Sequence, residues 1–381
     1  MGGRAWPPVH GRNGEGELSI SGRDPGSTQA LGILERGLAE RAFPGAAYAF
    51  GRVDGPIFAG AAGRLADDRD LAVGTSTRFD MASVTKPTVT ALTALRLCDA
   101  GVLDLDRPVA DLVPGAADRS PAWRGINVWH LLTHSSGLHS WLPLFREADC
   151  RAALIGRLLA EGLEAPPLTR YCYSCLGYIL AGWIIELVTG EGLDQVARRE
   201  IWDRLGMATA GYNPAPGETP RIPPTEVCAW EGARVCGRVH DENARRMAGV
   251  SGNAGLFASI DDWLPFVRGL VLNRALDGAP FLSEKSRLLH FTRQLPDLPD
   301  GFATCGWMVS GHGYLPLDER WPATTLGHGG FTGTMLVWDP ATGEFAVLLA
   351  NRVYYGRDNY ERFAPIRRAW LAAVRDRMAT L

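Results

Sequence analysis

The chain has 381 residues, 46% of them hydrophobic and 21% charged, with a formal net charge of −3. That length exceeds one typical core and predicts two packed units or one large domain with an insertion, and the composition is that of a soluble globular protein. So slight a charge excess offers no attraction for nucleic acid or for an anionic membrane surface, and both are excluded as expected partners.

Residues 1–28 are rich in Gly, Arg, Pro and Ser and lack the continuous apolar segment of a secretory signal, which predicts a flexible arm and a cytoplasmic protein. The spacing of Leu31, Leu34, Leu38 and Ala42 predicts an amphipathic helix broken at Pro44-Gly45, followed by strands over 46–53 and 56–61. A short strand over 77–81 leads directly into a helix over 83–100 that turns Val89, Leu92, Leu95 and Leu97 inward and stops at Gly101. Helical signals then dominate, over 128–132, 151–161, 176–189, 193–205, 261–272 and 283–290, with a Pro-rich loop over 213–225. β-like runs return at 303–310, 332–339 and 345–350, and a helix over 360–378 closes the pattern. Strands at both ends with helices between them predict an α+β fold: a sheet domain from 29–82 together with 300–381, and a mainly helical domain from 83–299. The longest apolar run, 176–188, is too short and too interrupted to span a bilayer. The seven cysteines are odd in number and scattered, which predicts free thiols.

All but two of the 39 basic residues are arginine, the exceptions being Lys86 and Lys285. Arginine does a lysine's surface work equally well, but only a partly desolvated lysine gives up its proton near neutral pH and serves as a base. Lys86 lies three residues after Ser83, where a strand runs into a helix. One helical turn would therefore hold a nucleophile and its proton acceptor on one face, with the hydroxyl near the positive end of the helix dipole. Two further stretches have the residue types of a site: Arg170-Tyr171-Cys172-Tyr173-Ser174-Cys175-Leu176-Gly177-Tyr178, and the Gly-rich Gly327-His328-Gly329-Gly330-Phe331-Thr332-Gly333-Thr334, whose small residues would let a substrate lie against the backbone.

In this order the three stations resemble the class C β-lactamase and penicillin-binding-protein-like serine hydrolases, in particular their esterase and transacylase branch. The likeness extends to 101–109, to His130-Leu131-Leu132-Thr133-His134-Ser135-Ser136-Gly137-Leu138 and to Gly252-Asn253-Ala254-Gly255-Leu256-Phe257. It implies an antiparallel sheet of five or more strands flanked by the terminal helices, an all-helical domain between, and an active site at their junction. It also implies that Ser83 is acylated, that Lys86 is its proton partner, and that Tyr173 relays the proton to the leaving group. His328 stands where the esterases have His-x-Gly, and the backbone N–H groups of Ser83 and Phe331 would form the oxyanion hole. A lysine of depressed pKa or a phenolate would supply the base without an Asp–His pair.

Cys175 departs from the family, which has asparagine there. A thiol donates and accepts only weakly, so efficient β-lactam or peptide recognition is disfavoured and ester or thioester chemistry less affected. Cys175, Gly329, Gly330, Trp141 and Trp307 are the expected substrate-binding residues, the two tryptophans as walls of an apolar acyl pocket. His130, His134, Asp104 and Asp106 read as structural. His240-Asp241-Glu242-Asn243 lacks metal-ligand spacing, and a serine mechanism needs neither metal nor cofactor. The expected partners are a small-molecule acyl donor and an amine or alcohol acceptor. Two other readings stay open here, a β-lactamase or D-amino-acid peptidase, and a non-catalytic module of the same fold.

Overall fold

A computed structural model describes residues 25–381. The arm expected over 1–28 lies, up to residue 24, outside the described residues, while 25–28 open the N-terminal helix Pro25–Ala39. The main sheet draws its strands from the two ends of the chain: β1 (Gly45–Arg52), β2 (Ile57–Ala66) and β3 (Arg69–Ala72) from one. The middle of the chain supplies only the short β4 (Phe79–Asp80), β5 (Val227–Cys228), β6 (Ala233–Arg234) and β7 (Phe257–Ala258). The other end adds β8 (Met308–Val309), β9 (Leu326–Gly329), β10 (Met335–Trp338) and β11 (Glu344–Ala350). Seven strands pair antiparallel in the order β3-β2-β1-β11-β10-β9-β8.

The central strands are apolar on both faces because both are covered. Successive side chains of a strand point to opposite sides, and the packing follows that period of two. Ala46, Tyr48, Phe50, Met335, Val337, Ala346 and Leu348 face a core completed by the terminal helices, including Leu34, Phe363, Trp370 and Val374. Ala47, Ala49, Leu336, Trp338, Phe345, Val347 and Leu349 face a second core shared with Leu95, Leu131, Ile184 and Phe266 from the helical part. The sheet is thus a layer between the terminal helices and the middle of the chain.

Most helices lie where the apolar spacing predicts them, among them Arg151–Glu161 and Tyr360–Met378. The expected continuous helix over 83–100 is instead a 3₁₀ turn Ala82–Val84, a π-helical turn Lys86–Ala91 and an α-helix Leu92–Asp99. Irregular turns of this kind accompany functional sites. Nor is the middle of the chain all helical, since β4 pairs with β7 and β5 with β6. Pairs of two residues carry too little alternation to register in a sequence pattern. No single helix among the described residues is long and apolar enough to cross a membrane. All seven cysteines are free.

Candidate active site

Ser83 sits on a turn made by forced backbone geometry. Ala82 before it has φ +45°, a conformation in which a Cβ is strained. The buried carboxylate of Asp80 holds that turn: Oδ1 accepts the N–H of Ala82 at 2.8 Å and Oδ2 accepts the N–H of His240 at 2.6 Å. The Met81 N–H donates to the Leu256 carbonyl at 2.8 Å, extending the β4–β7 pairing. The far side is sutured to the turn between β9 and β10, because Thr332 Oγ1 donates to the Asp80 carbonyl at 2.7 Å and Thr334 Oγ1 to that of Met81 at 3.1 Å.

Lys86 is fully buried, and its Nζ donates to Ser83 Oγ at 2.9 Å and to the Asn253 carbonyl at 3.0 Å. It also lies 5.0 Å from the ring centre of Tyr173. Lys86 and Ser83 both act on the phenol of Tyr173, each lowering its pKa against burial. The sequence separates Ser83 and Tyr173 by ninety residues, and the fold brings them to one point. Burial alone would push the Lys86 ammonium down, but Cys175 and Tyr173, as they ionise, pull the other way and leave its pKa above the ordinary value. The depressed lysine expected from the sequence is therefore not observed. Burial likewise holds Tyr173 above the usual phenol range against the pull of Lys86. The pair rests with both protons in place.

His328 lies beside this pair, its ring centre 5.9 Å from that of Tyr173. Burial and the nearby Lys86 push its pKa down to about 3, so it stays neutral and does not serve as an acid. A carbonyl only accepts, so the 2.9 Å contact between Nδ1 and the Gly329 oxygen places the proton on Nδ1 and leaves Nε2 as a buried acceptor with no protein partner. Phe331 follows in a turn closed by Gly333 N–H to the Gly330 carbonyl at 3.0 Å, and that bond does not use its own N–H. Its half-exposed ring stacks on His240 with ring centres 5.5 Å apart. The Ser83 N–H, second in a 3₁₀ turn, has no acceptor within that turn either. Two fixed donors on adjoining turns are what a tetrahedral oxyanion requires.

Gly330 is small for a different reason from the one expected. A Cβ there would lie 2.1 Å from Thr334 Oγ1 and 2.5 Å from the Met81 carbonyl, so the residue serves the suture to the Ser83 turn rather than a substrate. At Gly329 a Cβ would meet Arg367 Nη1 at 3.6 Å and the Thr334 carbonyl at 3.9 Å, both ordinary contacts. Trp141 is 40% exposed and follows Ser140, whose carbonyl accepts the Cys175 N–H at 2.7 Å, which puts it beside the start of the helix Cys175–Thr189. Trp307 is no pocket wall. It is buried against Trp338, and its Nε1 donates to His290 Nε2 at 2.9 Å, so a large aromatic with a satisfied N–H has gone to the core.

Cys175 begins its helix after the cap Ser174, whose Oγ accepts the Gly177 N–H at 3.0 Å. Burial holds its thiol protonated against the opposing pull of Lys86. No motif gives Asn253 a role, yet its carbonyl accepts a hydrogen bond from the lysine at 3.0 Å. Close glycines were the available signal: Gly182 and Gly252 are packed so tightly that a Cβ on Gly252 would lie 2.0 Å from the Tyr178 carbonyl. That approach presses Asn253 onto the tyrosine helix. Asp80 and the buried His240–Glu226 pair (2.8 Å) were equally unmarked. The cluster 240–243 is divided among other tasks, Asp241 capping a helix through Ala244 N–H and Glu242 pairing with Arg357. Among the described residues no group of His, Cys, Asp and Glu is placed to hold a metal ion.

With this geometry in view, the comparisons with known proteins agree on one family. The family model Beta-lactamase matches residues 32–369. An Escherichia coli K12 protein provisionally named D-alanyl-D-alanine carboxypeptidase is 27% identical over 320 residues, 76% of this chain and 72% of its own length. A Salmonella typhimurium protein of the same provisional name is 29% identical over 73% of this chain and 70% of its own length. Among solved structures, a simvastatin synthase variant from Aspergillus terreus superposes with a TM-score of 0.72 at 21% identity, covering 93% of this chain and 96% of that one. EstCE1, described as a hydrolase with promiscuous acyltransferase activity, gives 0.70 at 22% identity over 93% and 98%. At such identities the structures establish the fold alone, whereas the family model spans nearly the whole described chain: the protein belongs to the Beta-lactamase family of penicillin-binding-protein-like serine hydrolases.

Proposed function

We propose that the protein is an esterase or transacylase that takes an acyl group from a small-molecule ester or thioester onto Ser83 and passes it to water, an amine or an alcohol. The observation that carries this reading is the contact of Ser83 Oγ with Lys86 Nζ at 2.9 Å while a thiol, Cys175, stands where the family has an amide. Once the Lys86–Tyr173 pair has lost one proton it accepts that of Ser83 as Oγ attacks the carbonyl carbon. The carbonyl oxygen becomes an oxyanion between the N–H groups of Ser83 and Phe331. Tyr173 then returns the proton to the leaving oxygen or sulfur as that bond breaks, and the acceptor enters by the reverse route. A half-exposed Trp141 and Phe331 at the rim suit an apolar acyl or acceptor group.

A second reading, a D-alanyl peptidase or amidase, is favoured by the provisional names of the bacterial relatives. Cys175 separates the two. Cys175→Asn is expected to raise turnover of a D-alanyl amide or β-lactam about tenfold, the worth of one regained neutral hydrogen bond, and to change p-nitrophenyl ester turnover less. The check is kcat/KM on both substrate classes, with amine and alcohol acceptors added and products weighed by mass spectrometry. Amide turnover by the wild type above its ester turnover would remove the ester reading in favour of the peptidase.

A further inference from the structure

Tyr173 has its position from a residue thirty-nine places earlier in the chain. His134 is buried and has φ +60°, a left-handed conformation that histidine adopts uncommonly. Its carbonyl accepts the Cys172 N–H at 2.9 Å, and its Nδ1 accepts the Ser174 N–H at 2.9 Å. The residues on both sides of Tyr173 are therefore held by the same residue. Its ring also lies on the phenol, with ring centres 4.7 Å apart and planes tilted by 39°. A capping histidine in a loop needs at most one of these contacts, and here three converge on one tyrosine.

We infer that His134 is a positioning residue for Tyr173: its carbonyl, its Nδ1 lone pair and its ring set where the phenol stands between Ser83, Lys86 and the leaving group. Accepting at Nδ1 requires a neutral ring with its proton on Nε2. Burial and the facing Lys86, His328 and His312 keep it neutral. The strained backbone follows from the task, because a single residue reaches both flanking N–H groups only by turning sharply.

The inference rests on the reading of Tyr173 as the proton donor to the leaving group, and the test separates the two. Asparagine tolerates φ +60° and places an acceptor at the position of Nδ1, whereas glutamine carries the same amide one bond too far. His134→Asn is expected to keep kcat on an alkyl ester within about threefold of wild type, and His134→Gln to lower it about tenfold to thirtyfold with KM little changed. The loss should be smaller on a p-nitrophenyl ester, whose leaving group needs no proton. In a Tyr173→Phe background the glutamine substitution should add almost nothing. Thermal melts of each variant confirm that the folded enzyme is compared. Equal activity of the two variants, or a glutamine loss that persists without the Tyr173 hydroxyl, overturns the inference. If Tyr173→Phe leaves alkyl-ester turnover unchanged, the proton-donor reading itself fails.

Discussion

Lys86→Met is expected to lower kcat/KM for any ester by about a thousandfold, the scale of a lost general base, while leaving the protein as stable as the wild type or more so. Methionine fills nearly the same volume and leaves no charge behind. The native ammonium is fully buried and donates to Ser83 Oγ and the Asn253 carbonyl, with no carboxylate in salt-bridge range among the described residues. Replacing a buried polar group by an apolar one of similar volume is often neutral for stability, so the lysine is retained for its chemistry rather than for the fold. Steady-state kinetics and a thermal melt on the same preparation check both halves. A variant that melts well below the wild type, or keeps more than a tenth of its activity, would show that Lys86 is a packing residue.

The second large effect is that of Tyr173→Phe. Its size should depend on the leaving group: about a thousandfold for an alkyl ester, whose departing alkoxide must be protonated, and about tenfold for a p-nitrophenyl ester. The same pair governs pH dependence. Lys86 and Tyr173 are both held above their ordinary pKa values, Lys86 by Cys175 and Tyr173 against the opposing effect of burial, and Tyr173 chiefly by burial. The productive form lacks one of their two protons, so its population grows as pH rises. Wild-type kcat/KM should therefore climb about tenfold per pH unit through neutrality and level off only on the alkaline side, with apparent pKa values that belong to the pair. His328, neutral down to about pH 3, contributes no acid limb in the working range. A leaving-group-independent loss, or a profile that falls from pH 6 to 9, would contradict these roles.

Much of this was legible in the sequence because it is local. The Ser-x-x-Lys spacing places Ser83 and Lys86 by one turn of chain, and the 3.6 and 2.0 residue periods mark the long helices and β1, β10 and β11. What stayed hidden depends on approach between distant segments. Asn253 reaches Lys86 because two glycines meet across 70 residues, and Asp80 acts through His240, 160 residues away. β9, a glycine-rich run outside the β-like runs of the sequence, is a strand because β10 pairs with it along its whole length. The helix after Ser83 breaks into three kinds of turn because the site, not propensity, sets its first residues. Trp307 misled because aromatic type alone does not tell a wall from a core.

Intact-protein and peptide mass spectrometry on enzyme quenched in acid during turnover of a p-nitrophenyl acyl ester tests acylation at Ser83 most directly. A mass increase of one acyl group on the peptide bearing Ser83, absent from Ser83→Ala, is the predicted result. No covalent adduct during turnover, or an adduct on Cys175 that survives in Ser83→Ala, would contradict it.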